Sequence, residues 1–247
     1  MKQLFTRNFT LLLLGQASSL LGNYTLRFAL SMFVLEETGS AATFAGILAV
    51  SMVPTILLSP LGGVLADRAN RRSIMVALDA LSGISVLTAG LILPYGHSMA
   101  VIRALLVMLS VLGAFESPTV QACVPQMLSG HLLLKGNAAV SQVAAIASLI
   151  TPFLGSLAYT AFGLRPVLWG TAACFLLTAL LECLIRLEYQ KPERRMRIRD
   201  IIREDFSVSI RFLGREQPAI LKLLLLAALV SLFVSGTVVV GFPYLVR

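Results

Sequence analysis

The sequence predicts an all-α membrane protein: a six-helix transmembrane bundle, a cytoplasmic linker and one further transmembrane helix. Three observations carry this. Of 247 residues, 57% are hydrophobic and 13% charged, with a mean hydropathy of +0.86; a soluble domain carries about 25% charged and 45–50% apolar residues. The apolar residues gather into seven long runs, and the basic residues lie between those runs on alternate loops. An ordinary cytosolic enzyme, a disordered chain and a collagen-like fibre are excluded by the same figures.

A bilayer-spanning helix needs about 20 mostly apolar residues, because roughly 30 Å of hydrocarbon is crossed at 1.5 Å per residue. The qualifying runs extend over Phe9–Leu35, Ala42–Ala66, Ser73–Leu93, Met99–Val124, Gly136–Phe162, Pro166–Leu187 and Ala219–Val240. The first is too long for a signal peptide and lacks a small-residue cleavage site behind a short apolar core, so it is retained as a span. None of the runs alternates, and each is about twice the length of a barrel strand. Residues 1–188 therefore form the six-helix bundle, 189–218 the linker and 219–247 the further helix.

Orientation follows from the basic residues. With a cytoplasmic amino terminus, the inner side collects Lys2, Arg7, Arg68, Arg71, Arg72, Lys135 and nine residues from Arg186 to Arg215, with Lys222 at the inner edge. The outer side receives only Arg165 and Arg247, as the positive-inside rule requires. The net charge of +8 is thus explained by the lipid bilayer as partner, and nucleic acid is not expected. In the linker, Ile198, Ile202, Phe206, Ile210 and Leu213 recur at helical spacing, with Arg197, Arg199, Arg203 and Arg211 on other faces. Such a helix lies along the inner membrane surface or serves as a solvated linker.

Cys123, Cys174 and Cys183 sit in apolar runs without CxxC spacing and read as core-filling residues. His97 and His131 fall in loops. No hydrolytic triad, phosphate-cradling glycine loop or metal cluster is visible, so nothing supports an enzyme or a bound cofactor.

The most specific local signal is Gly62-Gly63-Val64-Leu65-Ala66-Asp67-Arg68-Ala69-Asn70-Arg71-Arg72, between the second and third runs. Its glycines permit close helix packing, and Asn70 is placed where a left-handed backbone is tolerated. Asp67 is expected to cap the third helix. Arg68, Arg71 and Arg72 hold the turn at the headgroups and can pair with Asp67.

This element resembles the Gly-x-Leu-Ala-Asp-Arg-x-Gly-Arg-Arg/Lys loop of the major facilitator superfamily, matched at Gly63, Leu65, Ala66, Asp67, Arg68, Arg71 and Arg72, with Asn70 in place of the second glycine. Thr38-Gly39-Ser40, Pro54, Pro60, Asp79, Phe115-Glu116-Ser117-Pro118 and Gly241-Phe242-Pro243-Tyr244 are similar to the macrolide-efflux branch of its drug exporters. The resemblance implies a major-facilitator amino-terminal bundle of two inverted three-helix repeats. It also implies that Gly63, Asp67, Arg68, Arg71 and Arg72 form a latch between the two halves of the transporter. The family has twelve helices, so a missing carboxy-terminal half is expected, and rocking of two bundles about a central site needs both.

The fifth run carries Thr151-Pro152-Phe153-Leu154-Gly155-Ser156, similar to the exporters' glycine- and proline-containing packing element. Pro152 bends the helix and Gly155 allows close approach. Ser59-Pro60-Leu61-Gly62-Gly63 in the second run reads in parallel with it after a one-residue slip.

Ionisable residues inside spans cost about 2.5–3.5 kcal/mol on insertion scales, so each needs a reason. Arg27 lies about 13 Å below the outer surface and Asp79 about 10 Å from the inner one by helical rise. Arg27 and Glu116 are expected to face the solute path or pair with each other. A carboxyl group in a low-dielectric interior can exchange a proton near neutral pH, which makes Glu116 or Asp79 a candidate for proton coupling. The structural alternative has Asp79 satisfying the motif arginines and Glu116 in a packing pair. Glu182 is expected to pair with Arg186 one turn on. Asn23, Tyr24, Arg27, Asp79, Glu116 and Gln142 are the candidate substrate or proton path.

The reading is an efflux permease of the bacterial plasma membrane. The resemblance implies export of a small amphipathic, macrolide-like substrate by alternating access, with the proton gradient as driving force. Alternatives are export of a siderophore or other metabolite, and a seven-helix receptor or regulatory membrane protein. The receptor reading requires an extracellular amino terminus.

Overall fold

The computed structural model describes residues 4–96, 98–187 and 217–236. The described residues form seven α-helices and one short 3-10 turn, with no strand. They are α1 (Arg7–Thr38), α2 (Ala41–Arg68), α3 (Arg71–Ile92), the 3-10 turn Leu93–Tyr95, α4 (Ser98–Met127), α5 (His131–Phe162), α6 (Leu164–Cys183) and α7 (Pro218–Gly236). The chain divides into two compact units, Met1–Lys191 and Pro192–Arg247. The proposed amphipathic linker helix, His97 and Gly241-Phe242-Pro243-Tyr244 lie outside the described residues.

Every predicted run coincides with a helix, but the ends differ. α5 starts at His131 rather than Gly136, so His131 begins a helix instead of lying in a loop. α6 stops at Cys183, four residues before the predicted Leu187. Short turns set most of the limits. Gly39, at φ 65°, closes α1 by donating its N–H to Leu35 O, and Ser40 then caps α2 by accepting from the Thr43 N–H. Only a residue without a Cβ adopts that left-handed angle at no cost.

Five helices, α2 to α6, are long and apolar enough to cross a membrane. Although α1 has 32 residues, Gln16, Ser18, Ser19, Asn23 and Arg27 lower its hydropathy. Several of these residues serve neighbouring helices. Thr171 and Thr178 of α6 donate to the carbonyls of Gly22 and Gly15, and Ser18 donates back to Cys174 O. α1 is therefore a helix for packing among helices, where polar contacts and small residues hold spans together. α7 contributes an apolar stretch over Pro218–Ser231.

Within the bundle the most extensive contacts pair α1 with α5 and α6, α2 with α4, and α3 with α4 and α6. Exchanging α1 with α4, α2 with α5 and α3 with α6 maps this set of pairs onto itself. Because three helices make an odd number of crossings, the second trio starts from the opposite side of the first. The packing is thus that of two inverted three-helix repeats. The glycine positions obey the same exchange. A Cβ on Gly62 of α2 would collide with the Ala114 carbonyl of α4, and one on Gly155 of α5 would stand 3.0 Å from Phe28 Cβ of α1. Each glycine follows a proline, Pro60 and Pro152, by two or three residues.

Candidate functional site

Two apolar clusters fill the bundle at different levels. One gathers Leu26 to Val34 of α1, Val86 and Ala89 of α3, Ile102 to Leu109 of α4 and Val167 to Phe175 of α6. The other gathers Phe9 and Leu12, Met75, Val120 to Val124, and Ile185. Between them, on the same four helices, runs a layer of polar groups: Gln16 and Ser19 of α1, Asp79 of α3, and Thr178 and Glu182 of α6, all buried, with the half-buried Glu116 of α4.

Ser19 is the hinge of this layer. Its Oγ lies 3.2 Å from Asp79 Oδ1 and 3.3 Å from Glu116 Oε1, so one hydroxyl proton faces two carboxyl groups. Glu182 completes the set. Its Cγ stands 3.8 Å from a Cβ built on Gly15, one turn before Ser19. Asp79 is 0% exposed and Glu182 1% exposed. Asp79 Oδ2, both Glu182 carboxyl oxygens and Gln16 Nε2 have no hydrogen-bond partner.

Two expectations are corrected here. Glu182 does not pair with Arg186, because α6 ends at Cys183 and the following chain turns under the bundle. Ile185 is buried there and the Arg186 N–H donates to Asn8 Oδ1. Nor does Arg27 pair with Glu116: its Nε donates to Asn23 Oδ1 at 2.8 Å, one turn back on α1. Arg27 and Asn23 thus form one half-buried unit, with Tyr24 beside it. Gln142 is exposed on α5 and hydrogen-bonds to none of these groups.

The turn between α2 and α3 also differs from expectation. Asn70 is extended, at φ −68° and ψ 103°, and its Oδ1 accepts from the Ser73 N–H, so Asn70 rather than Asp67 caps α3. Asp67 lies in the last turn of α2 instead, 73% exposed, with Arg71 Nη2 at 3.5 Å. A carboxylate at a helix carboxy terminus opposes the helix dipole. Arg71 also donates from Nε to Ala66 O at 2.7 Å, and Arg72 donates to Cys183 O at the end of α6. Neither arginine reaches Asp79. Of the two glycines, Gly62 makes the close approach to α4, whereas Gly63 faces open space. Arg68 is half-buried in the turn.

At the opposite end of the bundle the Tyr159 hydroxyl donates to Glu36 Oε2 and ties α5 to α1. The cysteines are all free; Cys123 is buried as expected, but Cys183 is exposed at the end of α6. Among the described residues no three His, Cys, Asp or Glu side chains are placed to hold a metal ion. The layer offers proton-carrying groups and hydrogen-bond acceptors.

A bundle of apolar helices with a carboxyl layer in its centre is a multi-pass membrane architecture. The family comparison agrees: residues 12–247 match the Major Facilitator Superfamily, and the chain belongs to that family, one of transporters rather than enzymes. It is 28% identical over 159 residues to macrolide efflux protein A of Streptococcus pyogenes, covering 62% of this chain and 38% of that protein. It is 27% identical over 167 residues to the multidrug efflux pump Tap of Mycobacterium bovis, covering 65% of this chain and 40% of that one. The match thus spans about two fifths of these relatives' length. The human organic anion transporter MFSD10 has a similar fold, with a TM-score of 0.61 at 21% identity over 78% of this chain and 50% of that one.

Sequence reasoning named Asp79 and Glu116 but missed Ser19 and assigned Glu182 to the edge. The signal for Glu182 was present. Leu168, Thr171, Phe175, Thr178 and Glu182 recur at three- to four-residue spacing on α6, which places the carboxyl on the buried face.

Proposed function

We propose that this chain forms the amino-terminal bundle of an efflux transporter that exports a small amphipathic, macrolide-like compound across the bacterial plasma membrane. Export proceeds by alternating access, with the proton gradient as driving force and the amino terminus in the cytoplasm. The observation that carries this reading is the match of the bundle to two proteins that are both efflux pumps. The carboxyl layer supports proton coupling, because Asp79 and Glu116 share the Ser19 hydroxyl inside the bundle. Asn23, Tyr24 and Arg27 supply polar contacts for the substrate on α1, and a carboxy-terminal half completes the central path.

In the same reading Asp67 and Arg71 latch the α2–α3 turn to the other half of the transporter. Exposure of Asp67 leaves it available for that contact. Replacing Asp67→Asn should lower export without reducing the amount of protein in the membrane.

Drug susceptibility of an efflux-deficient bacterium carrying the gene's whole reading frame tests the reading. Tolerance should rise several-fold for macrolides. Unchanged tolerance to macrolides, with export of a siderophore or another metabolite instead, contradicts the substrate class.

A further inference from the structure

We propose that Glu182, with Asp79 and Glu116, forms one proton-binding site enclosed by α1, α3, α4 and α6, and that Glu182 is a working member of it. The proposal rests on the proton-driven reading above for its use in transport, but the binding itself stands on geometry.

Few hydrogen bonds are made in this layer, where the Gln16 Nε2 donor is itself without a partner. The Ser19 hydroxyl brings a single proton to Asp79 and Glu116, and no donor reaches Glu182. Unpaired buried acceptors are rare because each forfeits its hydration without return. The titratable groups within electrostatic range of Glu182 are Asp79 of α3, Glu116 and Cys123 of α4 and Cys183 of α6, and Arg71 is in range of Cys123 in turn. α1 adds the uncharged Ser19 and Gln16. The nearby basic side chains are turned elsewhere: Arg71 to Ala66 O and Asp67, Arg72 to Cys183 O, and Arg27 to Asn23. Three carboxylates with no cation hydrogen-bonded to them would repel one another, and Asp79 and Glu182, both fully buried, would be costly to charge. Protons on the carboxyls remove the charge and supply the missing donors together.

A second, independent feature concerns the place of Glu182. It is the penultimate residue of α6, where the helix dipole disfavours an anion and tolerates a neutral acid. The next residue, Cys183, has its carbonyl held by Arg72 of the α2–α3 turn. The member of the site nearest the end of the bundle is therefore covered by the same loop that carries Asp67. Four helices from both repeats meet at the site, so its proton occupancy and the packing of α3 and α1 on α6 are tied together.

Infrared spectroscopy of the whole chain in lipid nanodiscs tests this. At neutral pH the wild type should show the C=O stretch of protonated carboxyl groups, lost as pH is raised. Glu182→Gln should remove one component of that band while circular dichroism keeps its helix content. Absence of the band in the wild type overturns the proposal, a measurement that needs no variant to fold. An unchanged band in a folded Glu182→Gln protein also overturns it, and so does loss of the band on adding sodium at constant pH, which points to a metal cation instead. Should the band behave as expected while efflux persists after the proton gradient is collapsed, the coupling reading fails and the site stands.

Discussion

Gly62 and Gly63 are adjacent in the motif, yet the structure gives them opposite costs on substitution. Gly62→Ala drives a methyl group into the Ala114 carbonyl, which is backbone and cannot swing aside; overpacking of this kind costs about 1–3 kcal/mol. Gly63→Ala meets nothing within 4 Å and gains up to about 1 kcal/mol of helix propensity. Thermal unfolding in detergent should show a lowered midpoint for the first and an equal or raised one for the second. Asn70 gives a similar contrast. Loss of its cap in Asn70→Ala should cost about 1 kcal/mol, and Asn70→Gly only a few tenths, which explains how Asn stands where the family uses glycine. Ser19→Ala leaves Asp79 and Glu116 without their shared donor and should destabilise the bundle by about 1–3 kcal/mol. The roles of Gly62, Asn70 and Glu182 were only partly legible in the sequence. Residue type told that each mattered, but contact across helices decided which glycine packs, which side chain caps and which acid is buried.

The helices themselves were legible because a continuous apolar run of sufficient length has few alternatives in lipid. Their ends were less so, since capping depends on one hydrogen bond, as at Gly39 or Asn70. The early end of α6 is the costliest of these differences, because the chain after Cys183 turns under the bundle with Ile185 buried, and Glu182 is enclosed instead of lying beside Arg186. That end is held by Arg72, whose guanidinium covers the Cys183 carbonyl. Arg72→Ala should speed hydrogen–deuterium exchange at residues 183–187 and leave the centre of α3 unchanged; equal exchange at both would remove Arg72 from this role. The repeat relation was visible in Pro60 and Pro152 with their following glycines. What the sequence did not show is that each glycine is the crossing point with the first helix of the other repeat.

At the scale of the molecule, the bundle turns large apolar side chains outward on α2 and α5, among them Val53, Ile56, Leu57, Leu149, Phe153 and Leu157. Patches of that kind are covered by lipid or by other protein, as a membrane transporter bundle requires, and its polar chemistry is kept inside. The proposed coupling of protons to export by this interior carboxyl layer can be read out in cells. Uptake of a labelled macrolide by efflux-deficient cells carrying the gene's whole reading frame, measured with and without a protonophore, tests it most directly. Accumulation should be lower than in cells without the gene, and the protonophore and Glu116→Gln should each abolish that difference. Accumulation kept low in the Glu116→Gln variant despite a collapsed proton gradient would contradict it.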